Sequence, residues 1–171
     1  MGAKAQGADD ITGRWLTIPR TLCFITHGDD VLLIKRAMHK RVWPGLYDGV
    51  GGHIERDEDP LTGAIREVQE ETGLNVTNVR FRGIIHVDAG AATGIMVFVF
   101  SAETASRDVI TSDEGTLEWV RRDQFGDLPL VEDLPVLIPL IFDGDDNAPP
   151  FWAHTSYDEN DDQIMLFAAP R

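Results

Sequence analysis

The sequence Gly52-His53-Ile54-Glu55-Arg56-Asp57-Glu58-Asp59-Pro60-Leu61-Thr62-Gly63-Ala64-Ile65-Arg66-Glu67-Val68-Gln69-Glu70-Glu71-Thr72-Gly73-Leu74 carries a helix with two dissimilar faces. Leu61, Ala64, Ile65 and Val68 recur at offsets of three and four, which predicts one apolar stripe; Pro60 suits the first turn and Gly73 the position just past the last. Glu67, Glu70 and Glu71 share that spacing and are expected on one face, opposite the stripe. Carboxylates crowded in this way repel one another unless water or a cation intervenes. An oxygen-only donor set selects Mg2+, Mn2+ or Ca2+ over zinc. Arg66 can reach Glu70 one turn on and hold its carboxylate in a fixed orientation. The preceding Gly51-Gly52 lets backbone approach a metal or a phosphate.

Outward from the helix, the pattern is of strands. Thr21 to Thr26 and Val31 to Ile34 are β-rich runs joined by His27-Gly28-Asp29-Asp30, a hairpin signal. Tyr47 to Val50 leads into the diglycine. Val76 to Val87 alternates, and Ile95 to Phe100 is a continuous apolar run suited to a strand buried on both faces. Glu118-Trp119-Val120 reads as a short strand, Glu132 to Phe142 as a helix started or interrupted by prolines, and Phe151 to Tyr157 with Ile164 to Ala168 as a hairpin. Residues 1 to 20 show no sustained period and are expected to form a flexible or loosely docked arm anchored by Trp15 and Leu16, with 21 to 171 as one domain.

A chain of 171 residues with 43% hydrophobic content can bury one continuous core. Its 15 Lys+Arg against 29 Asp+Glu give a formal charge of -14, which repels a phosphate polymer and makes a nucleic-acid partner unexpected. A small anionic substrate fits such a chain when divalent cations neutralise the carboxylates around it. Cys23 is the one cysteine, so no internal disulfide forms, and its place in Leu22-Cys23-Phe24-Ile25 makes it a core thiol. Without a secretory h-region or an apolar run approaching ~20 residues, a cytoplasmic protein with no membrane contact is the expectation. Five histidines show no paired zinc spacing. Asp143-Gly144-Asp145-Asp146-Asn147 opens like a calcium loop, but Ala148 stands where the turn glycine belongs and His154 where the bidentate Glu belongs; it reads as an acidic linker. Monomer and homodimer both remain open.

The opening stretch matches every fixed position of G-x5-E-x7-R-E-U-x-E-E-x-G-U, with U a bulky aliphatic residue, through Gly52, Glu58, Arg66, Glu67, Val68, Glu70, Glu71, Gly73 and Leu74. The chain thereby resembles the Nudix hydrolases, nearest the MutT-type diphosphatases of oxidised nucleotides, over roughly Thr21 to Phe142. The resemblance implies an α/β fold, an α/β/α sandwich around a small mixed β-sheet, and Mg2+-dependent hydrolysis of a pyrophosphate bond, with Mn2+ as a possible substitute metal. It implies Glu67, Glu70 and Glu71 as metal ligands, Glu70 or Glu71 also orienting water, the Gly51 carbonyl as backbone ligand, Arg66 as orienting cation, and Glu58 as a structural or outer-shell carboxylate. Ser112 to Trp119 resembles the loop that supplies a further glutamate, giving Glu114 as metal ligand or general base and Glu118 as second choice.

Substrate selection lies outside that motif. Tyr47-Asp48-Gly49-Val50 corresponds to a strand that touches the base in such enzymes, some of which have Asn where Asp48 stands; an Asp donates a hydrogen bond only when protonated. Gly52 and His53 are expected on the substrate side, although this branch commonly carries Lys at His53. Glu132 and Asp133 fall where purine-selective relatives place paired acids that read the base, without the neighbouring Trp; Trp43, Tyr47 and Phe24 are the aromatics available to stack instead. The implied reaction converts a nucleoside triphosphate, of the 8-oxo-dGTP kind, to monophosphate and pyrophosphate. Hydrolysis of ADP-ribose or another substituted nucleoside diphosphate is the alternative, and a non-catalytic nucleotide-binding module the alternative of another class.

Overall fold

The computed structural model describes residues 6–8, 10–110, 112–143, 145 and 148–168. Strand β1 (Leu16–His27) turns at Gly28 and returns as β2 (Asp30–Arg36), paired from Ile25 with Leu32 to His27 with Asp30. Gly28 sits at φ 62°, the left-handed conformation that a tight turn requires and that glycine adopts without a steric cost. Beyond Ile25 the two strands part, and the chain from 47 to 53 enters the gap. Its strand β3 (Tyr47–Asp48) pairs with β2 at Lys35 and Ile34, while Val50 and His53 bridge to Cys23 and Arg20 of β1. The diglycine is therefore held in the sheet: Gly52 C=O accepts from Thr21 N–H at 2.9 Å, and Cys23 and Val50 exchange backbone bonds at 2.7 and 3.1 Å.

Helix α1 (Pro60–Thr72) follows, then β4 (Thr77–Val87), β5 (Thr93–Glu103) and β6 (Gly115–Arg121). A short 3-10 helix, Arg122–Asp127, leads to helix α2 (Leu134–Phe142) and the hairpin of β7 (Phe151–Tyr157) and β8 (Gln163–Phe167). The sheet runs β3-β2-β1-β5-β4-β7-β8, with β6 on the free edge of β2. It is mixed: β1 with β5 and β4 with β7 are parallel, the remaining pairs antiparallel.

Because side chains alternate across a strand, each face of the sheet builds its own core. Cys23, Ile25, Leu32, Val50 and Phe100 pack with Ala64, Val68 and Leu74 under α1. Phe24, Val31, Leu33, Ile85 and Val99 pack with Leu134, Leu137 and Ile141 of α2 on the opposite face. Two helices on opposite faces of one sheet make the expected α/β/α sandwich. Cys23 is buried as expected, and burial pushes its thiol up to about 12, so it is an inert core residue.

Several expectations need correction. The sheet begins at Leu16, so the last residues of the expected arm are strand: Leu16 to Arg20 pair with Thr93 to Val97, and Trp15 lies over Gly94 with its ring 4.6 Å from His86. Helix α1 buries Gly63, Ala64, Val68 and Thr72 but leaves Leu61 and Ile65 exposed. The carboxylates do not oppose the buried stripe; Glu67 and Glu71 flank it, half-buried against the diglycine, and Glu70 alone faces solvent. The β5 run is buried only at Val99, which packs in the core under α2, and Phe100, which packs in the core under α1. Helix α2 starts at Leu134 and runs through Pro139. Asp143 and Asp145 are described, while Gly144, Asp146 and Asn147 of the acidic linker lie outside the described residues, as do residues 1 to 5 and Asp9 of the arm. Among the described residues no helix is long and apolar enough to cross a membrane.

Candidate active site

Asp59 opens α1: its carboxylate accepts from Leu61 N–H at 2.9 Å, Thr62 N–H at 3.1 Å and Thr62 Oγ1 at 2.7 Å, satisfying donors that a helix N-terminus leaves unpaired. Gly73, at φ 75°, closes the helix by donating to Gln69 C=O. Between these caps Arg66 organises the carboxylates. Its Nε and one terminal nitrogen bind Glu58 at 3.1 and 2.7 Å, the latter also donating to His53 C=O at 2.9 Å. The other terminal nitrogen binds Glu67 at 3.0 Å and Glu70 at 2.9 Å. All five guanidinium N–H groups have acceptors, and those bonds hold the Arg66 pKa above its ordinary value. Glu58 also accepts from Glu55 N–H at 2.8 Å, which ties the loop to the helix.

The diglycine explains how the helix lies so close. A Cβ on Gly52 would stand 2.5 Å from the Glu67 carboxylate, and one on Gly51 would stand 2.1 Å from Thr21 C=O. The Gly51 backbone N–H is turned to the Glu71 carboxylate and favours its charged form. Burial, then the charges of Glu67 and Glu114, raise Glu71 to about 7. Burial likewise raises Glu67. Glu114 is thus brought to the helix from the start of β6, where Lys40 Nζ binds it at 2.6 Å. Glu118 is placed elsewhere: it accepts from Tyr47 Oη at 2.8 Å, beneath the sheet edge.

Among the described residues no three ligating groups form a cage in this side-chain arrangement. Glu67 and Glu70 are turned to Arg66, and Glu114 to Lys40, so the protein's own cations stand as counter-ions. The donor set nevertheless fits a hard divalent cation: every donor is oxygen, and Glu71, raised first by burial and then by the charges of Glu67 and Glu114, lies among carboxylates whose repulsion a bound cation would relieve. Bound there, Mg2+ would neutralise phosphate oxygens and lower the pKa of a coordinated water.

The residues expected at the base divide. The segment from Pro129 to Val131 lies beside Tyr47, which donates to Pro129 C=O at 2.9 Å and accepts from Val131 N–H at 3.0 Å. This brings Asp133 to Asp48. Asp48 is buried, receives Gly49 N–H at 2.8 Å, and is raised to about 7 by burial and the charge of Asp133. Asp133 is raised to about 6 by its own burial, and its Oδ1 has no hydrogen-bond partner. Glu132 and the His53 side chain are exposed at the rim. Tyr47 and Phe24 are not stacking surfaces: Tyr47 is 5% exposed with its hydroxyl committed to Glu118, and Phe24 is fully buried against Phe142. Trp43 is half-buried against the α2 core.

Sequence reading missed the cations. Lys40 pairs with Glu114, Arg36 acts on both Glu71 and Asp48, and Arg20 sits half-buried with an unpartnered Nε. Their scarcity in an acidic chain was the available signal, but only the insertion of 47 to 53 between β1 and β2 brings them together.

A mixed sheet between two helices, with a capped carboxylate helix laid on a diglycine strand, defines a class of hydrolase that acts on phosphoanhydrides. A family model described as NUDIX domain matches residues 16–141, and the chain belongs to the Nudix hydrolase family. It is 30% identical over 115 residues to the uncharacterised Nudix hydrolase YvcI of Bacillus subtilis, covering 64% of this chain and 70% of that protein. Identity to the NAD-capped RNA hydrolase NudC of Pseudomonas aeruginosa is 28% over 113 residues, 65% of this chain but 38% of that protein. The crystal structure of a MutT protein from Bacillus halodurans superposes with a TM-score of 0.72 at 25% identity, covering 88% of this chain and 97% of that one.

Proposed function

We propose that the chain hydrolyses a purine nucleoside triphosphate, of the oxidised-purine kind, to monophosphate and pyrophosphate. Mg2+, or Mn2+ in its place, would be held by Glu67, Glu70, Glu71, Glu114 and the Gly51 carbonyl. The observation that carries the substrate class is the carboxyl pair of Asp48, which is buried, and Asp133, half-buried beside it at the start of α2. A carboxyl raised to about 7 keeps a proton through much of the neutral range and can donate a hydrogen bond, as the Asn of relatives would. Asp133, with an unpartnered oxygen, supplies an acceptor next to that donor. A donor and an acceptor side by side suit the edge of a purine, and leaving either unmatched by a wrong base is costly.

Glu70 or Glu71 orients the attacking water, Glu114 is the base, Arg66 fixes Glu67 and Glu70, and Gly52 with His53 borders the phosphates. The test is product analysis by ion-exchange chromatography after incubation with Mg2+ and a panel of 8-oxo-dGTP, unmodified triphosphates, ADP-ribose and dinucleoside polyphosphates, with Glu70→Gln as control. Monophosphate and pyrophosphate from one purine triphosphate is the expected result. Cleavage of ADP-ribose alone would overturn the substrate class while keeping the catalytic assignment, and a fully active Glu70→Gln protein would overturn the latter.

A further inference from the structure

A cleft of about 320 Å3 lies on the α2 face of the sheet, where Ile141 and Phe142 end that helix. Arg80 and Arg82 of β4, Ser101 and Glu103 of β5, and Arg122 after β6 line it with Phe142. Arg80 and Arg82 both line it, although a β-bulge between Phe81 and Gly83 interrupts the alternation of β4 at Arg82. Three guanidinium groups thus surround one recess in a chain whose formal charge is -14.

Their positions are built by neighbours. Arg82 Nε donates to Ser101 Oγ at 2.7 Å. The Arg122 guanidinium stands 4.9 Å from the Phe142 ring centroid and donates to Gly28 C=O at 3.4 Å. Glu103, the carboxylate of this wall, accepts from Asn78 Nδ2 at 2.9 Å. Arg80 and Arg82 make further contacts within the folded chain, and the acidic sequence Asp143 to Asp146 follows Phe142 directly. An occupant must therefore compete with the chain's own carboxylates, which favours a ligand carrying more than one charge. Planar guanidinium forks match carboxylate and phosphate oxygens bidentately, the multiple charge favours phosphate, and the volume suits a small molecule.

We propose that this cleft is a binding site for a small phosphate-bearing anion, separate from the nucleotide cleft. Asp133 precedes α2 and faces Asp48, whereas the arginine cleft lies at the other end of that helix, about 14 Å along its axis. The carboxylates of α1 are on the opposite face of the sheet.

The experiment is a titration of the full chain with inorganic pyrophosphate in EDTA at fixed ionic strength, followed by amide chemical shifts. The expected result is saturable change at Asn78, Ser101 and Gly28, with affinity lowered about tenfold or more in Arg80→Gln/Arg122→Gln and unchanged in Arg36→Gln. Shifts centred on Gly51 and Gly52 that vanish in Arg36→Gln would place the anion in the nucleotide cleft and overturn the proposal. Shifts that grow linearly without saturation would overturn it too. If the double variant fails to fold, the map of shifts in the unsubstituted protein decides alone.

Discussion

Arg66 shows how a single side chain can set the geometry of three carboxylates. A lysine at this position keeps the charge but offers three donors from one point, so it cannot bind Glu58 in a fork while reaching Glu67, Glu70 and His53 C=O together. Arg66→Lys is expected to lower kcat/KM by roughly 10- to 100-fold, the usual cost of losing an orienting partner, and steady-state kinetics under saturating Mg2+ would measure it. Near-normal turnover would mean that the carboxylates hold themselves. Gly52 makes a complementary case, because there the determinant is an absent atom. With a Cβ only 2.5 Å from the Glu67 carboxylate, Gly52→Ala must move that side chain or the strand. A displacement of about 1 Å in a catalytic group costs on the order of 10²-fold in rate; circular dichroism should show an intact fold alongside that loss.

Helix α1 separates what periodicity reveals from what packing decides. Its existence, its proline start and its glycine stop follow from local spacing, and the structure places them at Pro60 and Gly73. Its rotation does not follow. An apolar stripe of Leu61, Ala64, Ile65 and Val68 is consistent with two orientations, and the observed one tucks Glu67 and Glu71 beside the diglycine while Leu61 and Ile65, 45% and 42% exposed, remain at the surface. Only the pairing of residues 47 to 53 with both β1 and β2, a long-range fact, fixes which side faces the sheet. For the same reason β1 was legible from Thr21 but not from Leu16: Leu16 to Arg20 are strand because β5 lies beside them, and Pro19 and Arg20 carry no β signal of their own. The rotation makes a prediction. Val68→Ala, which empties a fully buried site, should cost about 2 kcal/mol, whereas Ile65→Ala should stay within about 0.5 kcal/mol. Urea unfolding of both variants would separate them, and an equal loss would mean that the helix sits in its other orientation.

Over the whole molecule, the site gathers buried acids in a chain already charged at -14. Asp48 rises from 3.8 to about 7, Glu71 from 4.5 to about 7 and Asp133 from 3.8 to about 6, each chiefly by burial. Between roughly pH 4 and 7 the folded chain therefore binds more protons than the unfolded chain, so its stability falls as pH rises through that window and levels off above it. Glu58, Asp59 and Asp158 have lowered values and act oppositely, but their contribution is lost only as pH falls below the ordinary carboxylate range. In EDTA the melting temperature is thus expected to be higher near pH 5 than near pH 7.5. Mg2+ should reverse the order, because protons compete with the metal at Glu71 and the cation is free of that competition only at the higher pH. Asp48→Asn should flatten the metal-free slope without removing the response to Mg2+, since Asn mimics the protonated carboxyl and leaves the α1 carboxylates in place. Glu71→Gln should flatten the slope and weaken the response together. Differential scanning calorimetry at the two pH values, with and without Mg2+, measures all four cases. A metal-free melting temperature that rises from pH 5 to 7.5 would show that these carboxyls are ionised in the fold, and with that the donor assigned to Asp48 in base recognition would be lost.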